Sequence, residues 1–101
     1  MKFIVHISLP AARFNDAVRD GSAGKKLARI MEETKPEAAY FTSKDGQRGG
    51  YLIFNIKDAS EIPRLAEPWF LNFEATVEFM PAMTAEDLKA ADLEKIGKQW
   101  G

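Results

Sequence analysis

At 101 residues, with 46% hydrophobic and 29% charged side chains, the chain has the composition of one folded domain and not of a disordered segment. Basic residues number 14 and acidic residues 15, a balance that supplies no general electrostatic pull toward nucleic acid or an anionic membrane. With no cysteine and one histidine, the chain is excluded from disulfide, thiolate and ordinary zinc chemistry, and neither metal nor cofactor is expected.

The opening MKFIVHISLP alternates and is interrupted by His6, unlike the apolar segment of a signal peptide, and no run is long enough to span a bilayer. A cytoplasmic protein with no membrane partner is the expectation. Phe3, Val5, Ile7 and Leu9 alternate with Ile4, His6 and Ser8, the period of a first strand, closed by Pro10. Phe14, Ala17 and Val18 begin a helical stripe that Leu27, Ile30, Met31 and Thr34 resume. Between them Asp20-Gly21-Ser22-Ala23-Gly24 predicts an interruption, since each glycine costs about 1 kcal/mol relative to alanine. Pro36 sets the helix end at or before Lys35.

Ala38 to Ser43 and Gly50 to Lys57 read as two strands joined by Lys44 to Gly49, with Asp45-Gly46 as the hairpin signal in a loop longer than two residues. Asp58 or, better, Ser60 caps the next helix, leaving Pro63 in its first turn. Ile62, Leu65, Ala66 and Trp69 give its buried stripe, and Pro68 is expected to kink it or to start a new turn. Thr76, Glu78 and Met80 alternate with Val77 and Phe79 in a fourth strand that Pro81 is expected to end. Thr84 and Asp87 form a capping box ahead of a tail helix carrying Leu88, Ala91, Ile96 and Trp100 near one face, with Leu93 at its margin. The order βαββαβ plus a C-terminal helix predicts an α+β sandwich. Its four-stranded antiparallel sheet has order 4-1-3-2, and both main helices lie on one face. Residues 1–83 make up this domain, and the helix of residues 84–101 is expected to pack on it or on a dimer partner.

Three stretches carry a family resemblance: Lys35-Pro36-Glu37-Ala38-Ala39-Tyr40-Phe41, Ala66-Glu67-Pro68-Trp69-Phe70, and Val77-Glu78-Phe79 followed by Met83-Thr84-Ala85-Glu86-Asp87-Leu88. Together they resemble a family of short, mostly bacterial proteins of unknown function in the dimeric α/β-barrel superfamily, related in shape to muconolactone isomerase. The resemblance covers nearly the whole chain. It implies a ferredoxin-like fold and a homodimer in which two sheets face each other. Superfamily relatives include isomerases, cofactor-free monooxygenases, haem-degrading enzymes and binding proteins, so the fold does not choose among functions.

Strand parity sorts the sheet residues into two faces. Phe3, Val5, Ile7, Phe41, Leu52, Phe54, Ile56, Val77 and Phe79 belong under the helices; Ile4, His6, Ser8, Tyr40, Thr42, Tyr51, Ile53, Asn55, Thr76 and Glu78 belong to the other face. On that second face His6 and Glu78 make a candidate proton-transfer pair assisted by Tyr40, because a carboxylate orients an imidazole and favours its charged form. The plainer reading is a hydrogen-bonded interface pair. Trp69 and Phe70, beside Pro68, are candidates for the wall of an apolar pocket, with Arg13, Arg48 and Asn72 at its mouth; as core aromatics they need no ligand. Gly21-Ser22-Ala23-Gly24-Lys25-Lys26 fails as a phosphate loop, lacking the leading glycine, the Ser/Thr and the preceding strand. Arg48 to Phe54 lacks one aromatic of the RNA-recognition signature, so no nucleic-acid partner is expected. Two functions compete: a homodimer that binds, isomerises or oxidises a small apolar molecule without metal or nucleotide, and a non-catalytic dimeric interaction module.

Overall fold

A computed structural model describes residues 1–101. Strands β1 (Lys2–Ser8), β2 (Ala38–Lys44), β3 (Gln47–Asn55) and β4 (Thr76–Ala82) form one antiparallel sheet in the order β2-β3-β1-β4, the expected order read from its other edge. Helices α1 (Ala11–Asp20), α2 (Ala23–Thr34) and α3 (Ile62–Phe73) connect them, and α4 (Ala85–Ala90) and α5 (Leu93–Trp100) form the tail. This is a ferredoxin-like α+β fold. Val5, Ile7, Leu52 and Phe54 from one sheet face meet Phe14, Ile30, Leu65, Trp69 and Phe73 from the helices in a single core. Complete burial of each large apolar side chain there is worth about 1.5–3 kcal/mol.

Local chemistry explains most of the boundaries. Gly21 adopts a left-handed φ of 83° and ends α1, so the helical region is interrupted at Gly21-Ser22 as its composition predicts. The hairpin is tighter than expected. Asp45 and Gly46 take φ of 54° and 75°, and the strands close directly onto this two-residue turn, with Lys44 opposite Gln47. Asp58, not Ser60, is the cap: its carboxylate accepts the Ser60 N–H at 2.9 Å while Glu61 accepts from Asp58 at 3.0 Å, in a short 3₁₀ turn leading into α3. Pro68 does not end α3. It withholds a donor from the Arg64 carbonyl, and Asn72 Nδ2 donates to the Pro68 carbonyl at 2.8 Å within the same helix.

Two further expectations give way. Pro81 lies inside β4, opposite Phe3, because β4 is an edge strand and a missing N–H is tolerated where no further strand pairs. The tail is two helices and not one, since Asp92 adopts φ 55° and accepts the Lys95 N–H at 3.3 Å. A residue of this type favours starting a helix over continuing one. None of the apolar residues of α4 and α5 is buried, so the tail does not pack into the core of its own domain. No helix is long and apolar enough to cross a membrane.

The caps make stability acid-sensitive in a defined direction. Backbone N–H groups of Ser60 hold Asp58 below its ordinary pKa, those of Lys57 and Asp58 do so for Glu61, and that of Thr84 does so for Asp87. A carboxylate depressed in the folded state stabilises the protein above its unfolded pKa, and this contribution is lost as pH falls through the folded value. The melting temperature should therefore be flat down to about pH 5 and fall below about pH 4. Asp58→Asn combined with Glu61→Gln should flatten that acid limb; a wild-type melting temperature unchanged down to pH 2 would contradict the assignment.

Candidate functional site

The helices cover one face of the sheet and leave the other open. On the open face, register turns separate residues into a pattern. Tyr40 stands opposite Tyr51, Tyr51 opposite His6 and His6 opposite Glu78, so the three proposed acid–base residues and Tyr51 form one row across all the strands. The His6 and Tyr51 rings stack at 4.8 Å between centroids with 29° between planes. Tyr40 is 69% exposed at the β2 edge. No side-chain hydrogen bond or ion pair joins His6 to Glu78; what they share is a place opposite each other on adjacent strands.

The flanking rows differ in chemistry. On one side lie Ala38, Ile53, Ile4 and Met80; on the other lie Thr42, Gly49, Ser8 and Thr76. Ser8 Oγ donates to Gln47 Oε1 at 2.7 Å, which ties the hydroxyl-bearing row to the hairpin. Along the strands the face thus passes from aliphatic, through aromatic and titratable, to hydroxyl-bearing. A molecule with an apolar end, a flat middle and a polar end matches that sequence of surfaces.

Gly49, in the hydroxyl-bearing row of the open face, and Gly50, on the helix side, let β3 lie close against both its neighbours. A Cβ on Gly49 would run into the Ile7 carbonyl oxygen, and one on Gly50 would lie 2.6 Å from the Tyr40 carbonyl oxygen. The Phe41 ring occupies the space above Gly50 on the helix side. Phe41 has the parity assigned to it, yet it is 55% exposed because β2 is an edge strand beyond the helices.

The other proposed ligand residues are dispersed. Trp69 is 1% exposed and belongs to the core, tilted against Phe73 at 6.2 Å. Phe70 is exposed on α3, and Arg13 is exposed on α1. Arg48 is held against α1: its Nη1 donates to Asn15 Oδ1 at 2.7 Å and its guanidinium lies 5.2 Å from the Phe14 ring centroid. Asn72 lines a groove of about 560 Å³ between α2 and α3, with Ile30, Thr34, Pro63, Pro68 and Leu71 beside it and Arg29, Glu33, Arg64 and Glu67 around them. That groove contains none of the other four.

Tyr51 is the residue that the sequence reading left out of the site, although the signal was present. A two-residue turn at Asp45-Gly46 fixes every pair of the hairpin, Tyr40 with Tyr51 included. No curated protein matches the chain. The family model described as a domain of unknown function, DUF3303, matches residues 1–96, and the chain belongs to that family.

Proposed function

We propose that the open sheet face binds a small, flat, largely apolar molecule, and that the working form is a homodimer of the dimeric α/β-barrel kind in which two such faces enclose it. The row Tyr40–Tyr51–His6–Glu78 carries this reading, since it stacks the only histidine on Tyr51 between a second tyrosine and a carboxylate. His6 is also the one side chain whose ordinary pKa lies near neutrality, which suits transfer of a proton in both directions. The chemistry is isomerisation. The neutral imidazole takes a proton from a carbon next to a carbonyl, the Tyr40 hydroxyl donates a hydrogen bond to the enolate oxygen, and the imidazolium returns the proton to a different carbon. No electron is gained or lost, so neither metal nor nucleotide is required. Glu78 stands across from His6 on the neighbouring strand.

The test begins with thermal shifts against lactones, small aromatic acids and enones, since a compound that binds only the native state raises its melting temperature. On a compound so found, His6→Ala should reduce kcat by about 10²–10⁴-fold with an unchanged circular dichroism spectrum. Undiminished turnover would remove His6 from the chemistry. A dimer that no compound stabilises would support the interaction module instead.

A further inference from the structure

The tail is an apolar surface that the fold leaves without a partner. Leu88, Leu93, Ile96 and Trp100 are all exposed, Trp100 to 82%. Leu93, Ile96 and Trp100 recur at the spacing that aligns them on one face of α5. The elbow between α4 and α5 is a shallow hollow of about 400 Å³ lined by Ala85, Leu88, Lys89, Asp92 and Leu93. The opposite side of the tail is self-satisfied, with Lys98 Nζ 3.4 Å from Glu94 Oε1. The elbow is built and not frayed, because the Thr84 and Asp92 side chains cap the two helices. The tail also reaches away from the domain. The radius of gyration is 17.0 Å and the longest dimension 59 Å, whereas a compact chain of this length has a radius near 13 Å.

One chain therefore carries two unsatisfied surfaces, the open sheet face and the tail. A second copy can cover both, its sheet face meeting this one and its β2 edge receiving the tail. The areas point the same way. Strands about 4.8 Å apart with about 3.3 Å per residue give a sheet face of roughly 440 Å², so two faces pressed together bury roughly 900 Å². A stable specific interface needs about 1,200–2,000 Å². Two tails, each about 10 Å wide and about 21 Å long, add on the order of 800 Å² counted on both sides, which brings the total into that range. The direction is set by where the tail starts. It leaves from β4, and a two-fold axis running along the strands places the β4 edge of one copy over the β2 edge of the other, where Tyr40 and Phe41 are exposed.

We propose that the tail of each copy is an arm that clasps the β2 edge of a second copy and closes the open-face site beside Tyr40. This rests on the homodimer reading above and adds that the site is incomplete without the partner's arm. The absence of native cysteine makes the test direct. Full-length Ile96→Cys protein is mixed with full-length Thr42→Cys protein and treated with a short bismaleimide; a product of twice the monomer mass containing both chains is expected. Independently, full-length Leu93→Glu with Ile96→Glu, both exposed positions, should weaken dimerisation at least 100-fold by sedimentation while keeping the monomer folded. If the double glutamate variant stays dimeric, or if the two cysteines react only within one chain carrying both, the arm is refuted and the homodimer stands. If the unmodified protein sediments as a monomer at micromolar concentration, both readings fall.

Discussion

Replacing Gly49 by alanine is expected to lower the melting temperature by on the order of 15 °C. Gly49 lies on β3, an interior strand, opposite Ser8 on one side and Thr42 on the other. A methyl group there meets the Ile7 carbonyl oxygen well inside van der Waals distance, with the Ile7 carbonyl carbon at 3.1 Å and the Ser8 Cα at 3.3 Å. These are backbone atoms of a paired strand, so they cannot rotate aside as a side chain would. Overpacking of this kind costs about 1–3 kcal/mol when side chains can shift and more when they cannot. At about 4–8 °C per kcal/mol for a domain of this size, a cost near 3 kcal/mol gives the stated drop. Gly24→Ala is the control. Its Cβ meets nothing within 4 Å, and its place in α2 predicts a gain of up to about 1 kcal/mol. Equal melting temperatures for the two variants would show that β1 and β3 are further apart than described.

The same crowding links stability to the site. Gly49 and Tyr51 share the open face of β3, one row apart, and their partners on β1 are Ser8 and His6. A shift of β1 away from Gly49 would move His6 relative to Tyr51 and disturb the 4.8 Å stack. Gly49→Ala protein that remains folded should thus bind more weakly at this face than Gly24→Ala protein.

How much of this was legible beforehand depended on whether the signal was local. Alternation along each strand assigned both faces, and the burial of Val5, Ile7, Leu52 and Phe54 follows that assignment. Glycine at 21 marked the break between α1 and α2 because a left-handed backbone is a single-residue property. Pro81 was misjudged for the opposite reason: whether a proline ends a strand depends on the strand beside it, and β4 has none on its outer side. Asp58 outcompeted Ser60 because its cap is reciprocated by Glu61, a pairing three residues apart that the sequence did contain. The site divided in the same way. Parity gathered His6, Tyr40 and Glu78 onto one face, but their alignment in one row required the β1–β3 and β1–β4 registers, which no short-range pattern encodes. The dispersal of Arg13, Arg48, Phe70 and Asn72 is a matter of three-dimensional packing, as is the capture of Arg48 by Asn15 across the α1–β3 contact.

Trp69→Ala should cost about 3–5 kcal/mol, a large share of the roughly 5–15 kcal/mol that a chain of 101 residues can be expected to have. The indole sits at the junction of α3 with the sheet, against Phe73, whose ring in turn meets Phe14 of α1 at 5.1 Å. Truncation there opens a cavity bounded by elements that cannot easily collapse, since α3 is fixed at both ends by strands. Trp69→Phe tests a finer point. The Trp69 Nε1 is buried and meets no hydrogen-bond acceptor in the chain. An unsatisfied buried donor costs about 1–3 kcal/mol, so removing it offsets much of the packing lost with the smaller ring. Urea denaturation should therefore place Trp69→Phe within about 1.5 kcal/mol of the unmodified protein and well above Trp69→Ala, with similar m-values for all three. If phenylalanine cost as much as alanine, the indole nitrogen would have to be satisfied in solution, and the account of Trp69 as a purely apolar core residue would be wrong.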